Sequence, residues 1–132
     1  MSTGENKALM RRWIEEGWNQ RNVAVADECY APDFATDLKE FVKRVFAAFP
    51  DFYITIEDQI AEGDKVVTRY STRGTHKGKW MGIAPSGIEV QGTGINISRI
   101  SGGKVVEDWQ QDDNLGMFQQ LGVIPPLGEG EG

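Results

Sequence analysis

"AAFPDFYITIEDQIAEGDKVVTRY", residues 47–70, changes its period in the middle, and that change decides the fold. Up to Phe49 the chain reads as a helix. In "TDLKEFVKRVFAAF" the apolar residues Leu38, Phe41, Val42, Val45 and Phe49 recur every three or four positions, the spacing of one helix face. Thr36 or Asp37 is the expected cap, and Pro50 bars the helix from continuing. From Phe52 onward β-branched and aromatic residues alternate with polar ones, a period of two. Gly63-Asp64 then joins two such runs as a tight turn.

Working upstream, "GENKALMRRWIEEGWNQRN" places Leu9, Met10, Trp13, Ile14 and Trp18 at helical spacing, with Arg11, Arg12, Glu15 and Glu16 on the other side. A shorter helix through "VAVADECY" stops before Pro32. Downstream come "KVVTRYSTRGTHKGKW", the loop "MGIAPSG", the strand "IEVQGTGINISRI", the turn "SGG" and the strand "KVVEDWQQDD". A last short helix, "NLGMFQQLG", is expected to pack Leu115, Phe118 and Leu121 on the sheet. Three helices followed by an antiparallel meander define an α+β chain. Helices packed on a strongly curved sheet form a cone with an internal cavity. No linker or repeat divides it, so residues 1–122 read as a single domain and 123–132, "VIPPLGEGEG", as a flexible tail.

Composition narrows the function. The 132 residues carry a net charge of −6 and no basic run, which argues against nucleic acid as a partner. No apolar stretch approaches membrane-spanning length, and "MSTGENK" has no signal-peptide character, so a cytoplasmic location with no membrane association is expected. The single cysteine, Cys29, cannot form an internal disulfide and sits among acidic residues that disfavour a thiolate; it reads as core. One histidine and one cysteine in unrelated segments do not make a metal site.

The order of "NKALMRRWIEEGWNQRN", "YAPDF", "AAFPDFYITIEDQIAEGDKVVTRYSTRGTHKGKWMGIAPSG" and "GKVVEDWQQDDNLGMFQQLG" resembles the SnoaL-like polyketide (ester) cyclase family of the nuclear-transport-factor-2-like and ketosteroid-isomerase-like superfamily, from Asn6 to Gly122. The resemblance implies ring closure by intramolecular aldol chemistry on a hydrophobic carbonyl compound, without metal or organic cofactor. It also implies an acid–base aspartate four residues after a tryptophan near the end of the last long strand, which here is Asp113 after Trp109. On residue chemistry alone Asp113 serves equally well as the cap of the following helix; the resemblance favours the base. Simple alternation along this strand puts Trp109, Gln111 and Asp113 on one face, expected to line the cavity; the carboxylates Asp108, Asp112 and Glu107 read as a solvated outer group and not as a hard-cation site.

Asn96 and Ser98 share a face of the preceding strand and are candidate hydrogen-bond donors to substrate; the family's cyclases carry a glutamine and a histidine in this region. The only histidine, His76, in "RGTHKGKWMG", is a secondary catalytic candidate at the cavity rim and, on chemistry alone, more often structural. Trp13, Met81 and Phe118 are the apolar residues expected to contact a ligand, whereas Trp18 and Phe41 read as core. Val67, Ile95 and Ile97 face away from Asn96 and Ser98, which points to a homodimer through the sheet's outer face. "APDFATDLKEFV" runs almost directly into the third helix, where the cyclases have a longer loop, leaving Asp37 as the one nearby polar group. Two other functions fit the same cone. An epoxide hydrolase would pair carboxylates across an arginine, with Arg69, Arg73 and Arg99 available; a non-catalytic small-molecule binder would use Asp113 only as a cap.

Overall fold

Four antiparallel strands in the order β1-β2-β3-β4 form one curled, open sheet, each strand paired with its neighbour in sequence. The structure is a computed structural model and describes residues 2–125; the expected tail lies, beyond Pro125, outside the described residues. The strands are β1 (Tyr53–Glu62), β2 (Lys65–Thr75), β3 (Glu89–Ser101) and β4 (Lys104–Asp112). Gly102 and Gly103 form the two-residue β3–β4 turn at φ 60° and 77°, left-handed values that glycine adopts without steric cost.

Before the sheet run α1 (Thr3–Arg12), continued by a π-helical segment (Trp13–Asn19), then a 3₁₀ turn (Val23–Val25), α2 (Ala26–Cys29) and α3 (Pro32–Ala48); α4 (Asn114–Gln120) follows β4. Ser2 and Glu5 close a capping box on α1. Pro32 opens α3 at its first turn, where its missing N–H is no loss. The expected cap at Thr36 or Asp37 is therefore corrected: both lie inside α3, and Thr36 Oγ1 donates to the carbonyl of Pro32. Of the segment "APDF", Pro32, Asp33 and Phe34 belong to the helix and Ala31 stands at its N-cap.

The core lies between α1–α3 and one face of the sheet, with Trp13, Trp18, Val42, Val66 and Val105 buried. Cys29 is fully buried there, and burial pushes its thiol up, in line with a packing role. Two amides tie helices to strand backbone. Asn19 Nδ2 donates to the carbonyl of Ile54 (2.8 Å) while its Oδ1 accepts from the Ile54 N–H (2.9 Å). Gln120 does the same at Gln91, at 2.7 and 2.8 Å. Each satisfies a strand residue that has no strand neighbour on that side. Of the residues expected to pack α4, Leu121 is buried, whereas Leu115 is largely exposed and Met117 takes its place against the core.

Candidate active site

Register decides which side chains face the helices. On β3 and β4 the pairs are Asn96 with Gln110, Ile97 with Trp109 and Ser98 with Asp108; Ile100 then pairs with Val105, so Val106 is an extra residue. This bulge reverses the alternation along β4. Val105 points into the core, and beyond the bulge Asp108, Gln110 and Asp112 face inward with Asn96 and Ser98. Trp109 and Gln111 face outward, Trp109 about half exposed. The expected site is corrected by one residue: of the carboxylates expected outside, Asp108 and Asp112 face inward and Glu107 stays outside, and Trp109 and Gln111 are no part of the wall.

Between the sheet's inner face and the helices lies a cavity of about 210 Å³. Trp13 lines it as expected, but so do Trp18, Phe41 and Trp80, which stand edge to face in succession: Trp13–Trp18 at 6.2 Å, Trp18–Phe41 at 6.3 Å and Phe41–Trp80 at 6.3 Å between ring centroids. Trp18 and Phe41 thus serve core and cavity at once. Met81 is instead 63% exposed, at the tip of the loop between β2 and β3 with a left-handed φ of 48°. Phe118 lies on α4 off the cavity wall, where Met117 reaches it.

Three aspartates meet the cavity, and they differ in what their oxygens already hold. Asp108 Oδ1 accepts from Asn96 Nδ2 at 2.5 Å and lies 2.9 Å from Ser98 Oγ, a hydroxyl that is also within 2.7 Å of Asn96 Oδ1. Its second oxygen has no protein partner among the described residues. Burial raises the Asp108 carboxyl above its ordinary value, against the opposing pull of the Asn96 and Ser98 hydrogen bonds. Asp112 has both oxygens engaged: Oδ1 accepts from the Tyr70 hydroxyl (2.5 Å) and Oδ2 from Gln110 Nε2 (2.8 Å). Asp113 lies at the rim, exposed, and caps α4 by accepting from the Gly116 N–H at 2.9 Å. Its geometry is that of the cap.

Tyr30 completes the polar end. The segment between α2 and α3 bridges to β4 at Val105, with the Ala31 N–H donating to the Val105 carbonyl at 3.0 Å, beside the bulge. This sets the Tyr30 phenol on the cavity wall, close enough to Asp108 that the carboxylate's charge adds to burial in raising its pKa well above the ordinary phenol value. Tyr30 therefore stays protonated at neutral pH. Sequence spacing gives no signal for it, because only the bridge to Val105 brings it to β4.

His76 is corrected in position. It is fully buried behind the wall, stacked on Phe49 with ring centroids 5.4 Å apart, and not at an open rim. Its Nδ1 accepts from the Ser86 N–H (3.3 Å) and lies 3.0 Å from Ser86 Oγ, closing the loop from 76 to 86. Of the arginines, Arg99 pairs with Glu107 and Arg69 is exposed, both on the outside, whereas Arg73 reaches the cavity edge with its guanidinium over the Tyr53 ring at 5.6 Å. A carboxylate–arginine–carboxylate bridge therefore has its second inward acid in Asp112, but among the described residues no arginine pairs with Asp108 or Asp112. Among the described residues no three His, Cys, Asp or Glu side chains converge as metal ligands.

The sequence model of the SnoaL-like polyketide cyclases matches residues 8–121, most of the chain. The chain belongs to that family. Its fold is shared with TsrD from Streptomyces laurentii (25% identity, TM-score 0.88, covering 94% of this chain and 99% of that one). AclR from Streptomyces galilaeus, described as a candidate hydroxylase, is 27% identical with a TM-score of 0.86 over 97% of this chain and 87% of its own. IdmH from Streptomyces antibioticus, described as a candidate polyketide cyclase, is 28% identical with a TM-score of 0.78 over 89% of this chain and 98% of its own. Among curated proteins none matches the sequence. Proteins described as a candidate cyclase and as a candidate hydroxylase thus share this fold, and the chemistry of the present one rests on its own side chains.

Proposed function

We propose that the cavity is the active site of a SnoaL-like enzyme that closes a ring in a hydrophobic carbonyl compound by acid–base catalysis, with Asp108 as the base. The observation that carries this reading is the asymmetry of Asp108: one oxygen is fixed by Asn96 and Ser98, the other is unengaged, and the whole group is buried enough to hold its proton more tightly than usual. A carboxylate of raised pKa accepts a proton from the carbon next to a carbonyl. The resulting enolate attacks a second carbonyl of the same molecule, a C–C bond forms, and the new alkoxide takes the proton back from Asp108. Atoms balance without a co-reactant. The Tyr30 phenol, held in its protonated form, donates to the substrate oxygen on which charge develops. Ketosteroid isomerase, with an aspartate base in an apolar cavity, follows the same physics.

Asp113, the aspartate favoured by family position, is the competing base. A ketone probe separates the two. With 2-tetralone, wild-type protein should accelerate exchange of the α-protons for deuterium, followed by NMR. Asp108→Asn should remove that acceleration by about 10²-fold or more, and Asp113→Asn should leave it within a few fold. The reverse pattern transfers the role to Asp113. No exchange in wild type despite measurable tetralone binding establishes the non-catalytic binder. The same reading includes a homodimer formed by the sheet's outer face and a cytoplasmic setting, for which a buried free cysteine and the lack, among the described residues, of a helix long and apolar enough to cross a membrane are the support.

A further inference from the structure

The polar wall beyond Asp108 carries an arrangement that proton abstraction does not use. Tyr70 and Asp112 lie across Gly94, which sits between them in register, paired with Tyr70 on β2 and with Asp112 on β4. A Cβ at residue 94 would come within 2.5 Å of the Tyr70 oxygen, so the pair occupies space that only glycine leaves open. The Tyr70 hydroxyl hydrogen is spent on Asp112 Oδ1, and one of the two Gln110 amide N–H groups on Asp112 Oδ2. What remains on the Tyr70 oxygen is lone pairs, while Gln110 beside it keeps its carbonyl and one N–H. All three side chains line the cavity.

We propose that Tyr70, its hydroxyl proton held by Asp112 over Gly94, presents an acceptor that takes a hydroxyl group of the ligand, so that the cavity selects phenolic or enolic ring systems over their ethers. The inference rests on the cavity being the ligand site and adds which functional group the ligand carries. Asp112 acts here as a positioning residue: by holding the Tyr70 proton it fixes the phenol as an acceptor. Tyr70 touches the ligand. An ether or ketone oxygen placed against the Tyr70 oxygen meets only lone pairs, and a buried acceptor without a donor loses the hydrogen bonds it made in water.

Calorimetric titration with 2-naphthol, 2-methoxynaphthalene and naphthalene tests the subsite without knowledge of the natural ligand. Wild type should bind 2-naphthol about tenfold more tightly than either of the others, the worth of one hydrogen bond. In Asp112→Leu the Tyr70 proton is released to donate, and the preference should shift toward 2-methoxynaphthalene. Gly94→Ala should displace the pair and erase the preference. A merely structural role for these residues would weaken all three probes alike and leave the ratio unchanged, which overturns the proposal. Equal wild-type affinities for the three also overturn it while leaving the cavity as a ligand site. If none of the three binds while 2-tetralone exchange proceeds normally, the acceptor subsite is wrong and the catalytic reading stands. If 2-tetralone is neither bound nor exchanged as well, both fall.

Discussion

Asp108 is stabilised and penalised by the same surroundings. Asn96 and Ser98 hold one oxygen, yet burial outweighs them and the carboxyl keeps its proton to higher pH than an exposed aspartate. The unfolded chain releases that proton first. As pH rises from the ordinary carboxylate range through the raised folded value, the folded state therefore loses stability, and the penalty is complete above that value. Asp108→Asn removes the charge and keeps an oxygen for Asn96 and Ser98. We predict that this variant melts at a higher temperature than wild type at pH 7, and that the gap closes as the pH falls below the ordinary carboxylate range. Thermal melts at several pH values measure it; a variant less stable at pH 7 would mean that the ionised carboxylate is the better-solvated partner. Gain of stability with loss of turnover is the expected signature of a base held in an apolar site.

At the scale of elements, one inserted residue determines the site. The helix periodicity of residues 3–49, the change of period at Pro50 and the glycine turns at 63 and 102–103 are all legible in the sequence, because helices and tight turns are written in local spacing. The bulge at Val106 is not. "KVVEDWQQDD" alternates without a break as text, and only the partner strand shows that Arg99 and Ile100 face three residues of β4. A strand read by alternation alone is therefore wrong on every side chain past the bulge, which is how Trp109 and Gln111 come to stand outside and Asp108 inside. Tyr30 is unreadable for a related reason, since its bridge to Val105 is a contact between distant segments. Deleting Val106 tests the role of the bulge. With the extra residue gone, Val105 opposite Ile100 and Glu107 opposite Arg99 become consecutive, so Asp108 should stay inward with Ser98 and Trp109 outward with Ile97, and both α-proton exchange on 2-tetralone and tryptophan emission should remain close to wild type. A blue-shifted emission with exchange lost would show that Val106 is a paired member of the strand and that the faces beyond it depend on its presence.

For the whole molecule the outward turn of Trp109 supplies what the outer face needs. Ile60 pairs with Val67, Val67 with Ile97, and Ile97 with Trp109, so one apolar row crosses all four strands of the sheet. Ile60, Ile97 and Trp109 are 61, 37 and 48% exposed, and Ile95 stands beside the row at 43%. The next row toward the hairpin ends, Glu62, Lys65, Arg99 and Glu107, mixes both charges, as a surface meeting its own copy across a two-fold axis requires. A chain of net charge −6 gains little from long-range attraction to itself, so the apolar row must supply most of the association. A stable pair would need to bury roughly 800 Å² on each copy, more than this row alone and within reach of the full outer face. We predict a homodimer at micromolar concentration by analytical ultracentrifugation. Ile97→Lys, in the middle of the row, should shift it to monomer, with an affinity loss of about tenfold or more because an ammonium would be buried opposite its own symmetry mate. Exchange of 2-tetralone protons, which depends on the opposite face, should persist in that monomer. A wild-type monomer at that concentration would leave the row as surface and remove the dimer from the proposed function.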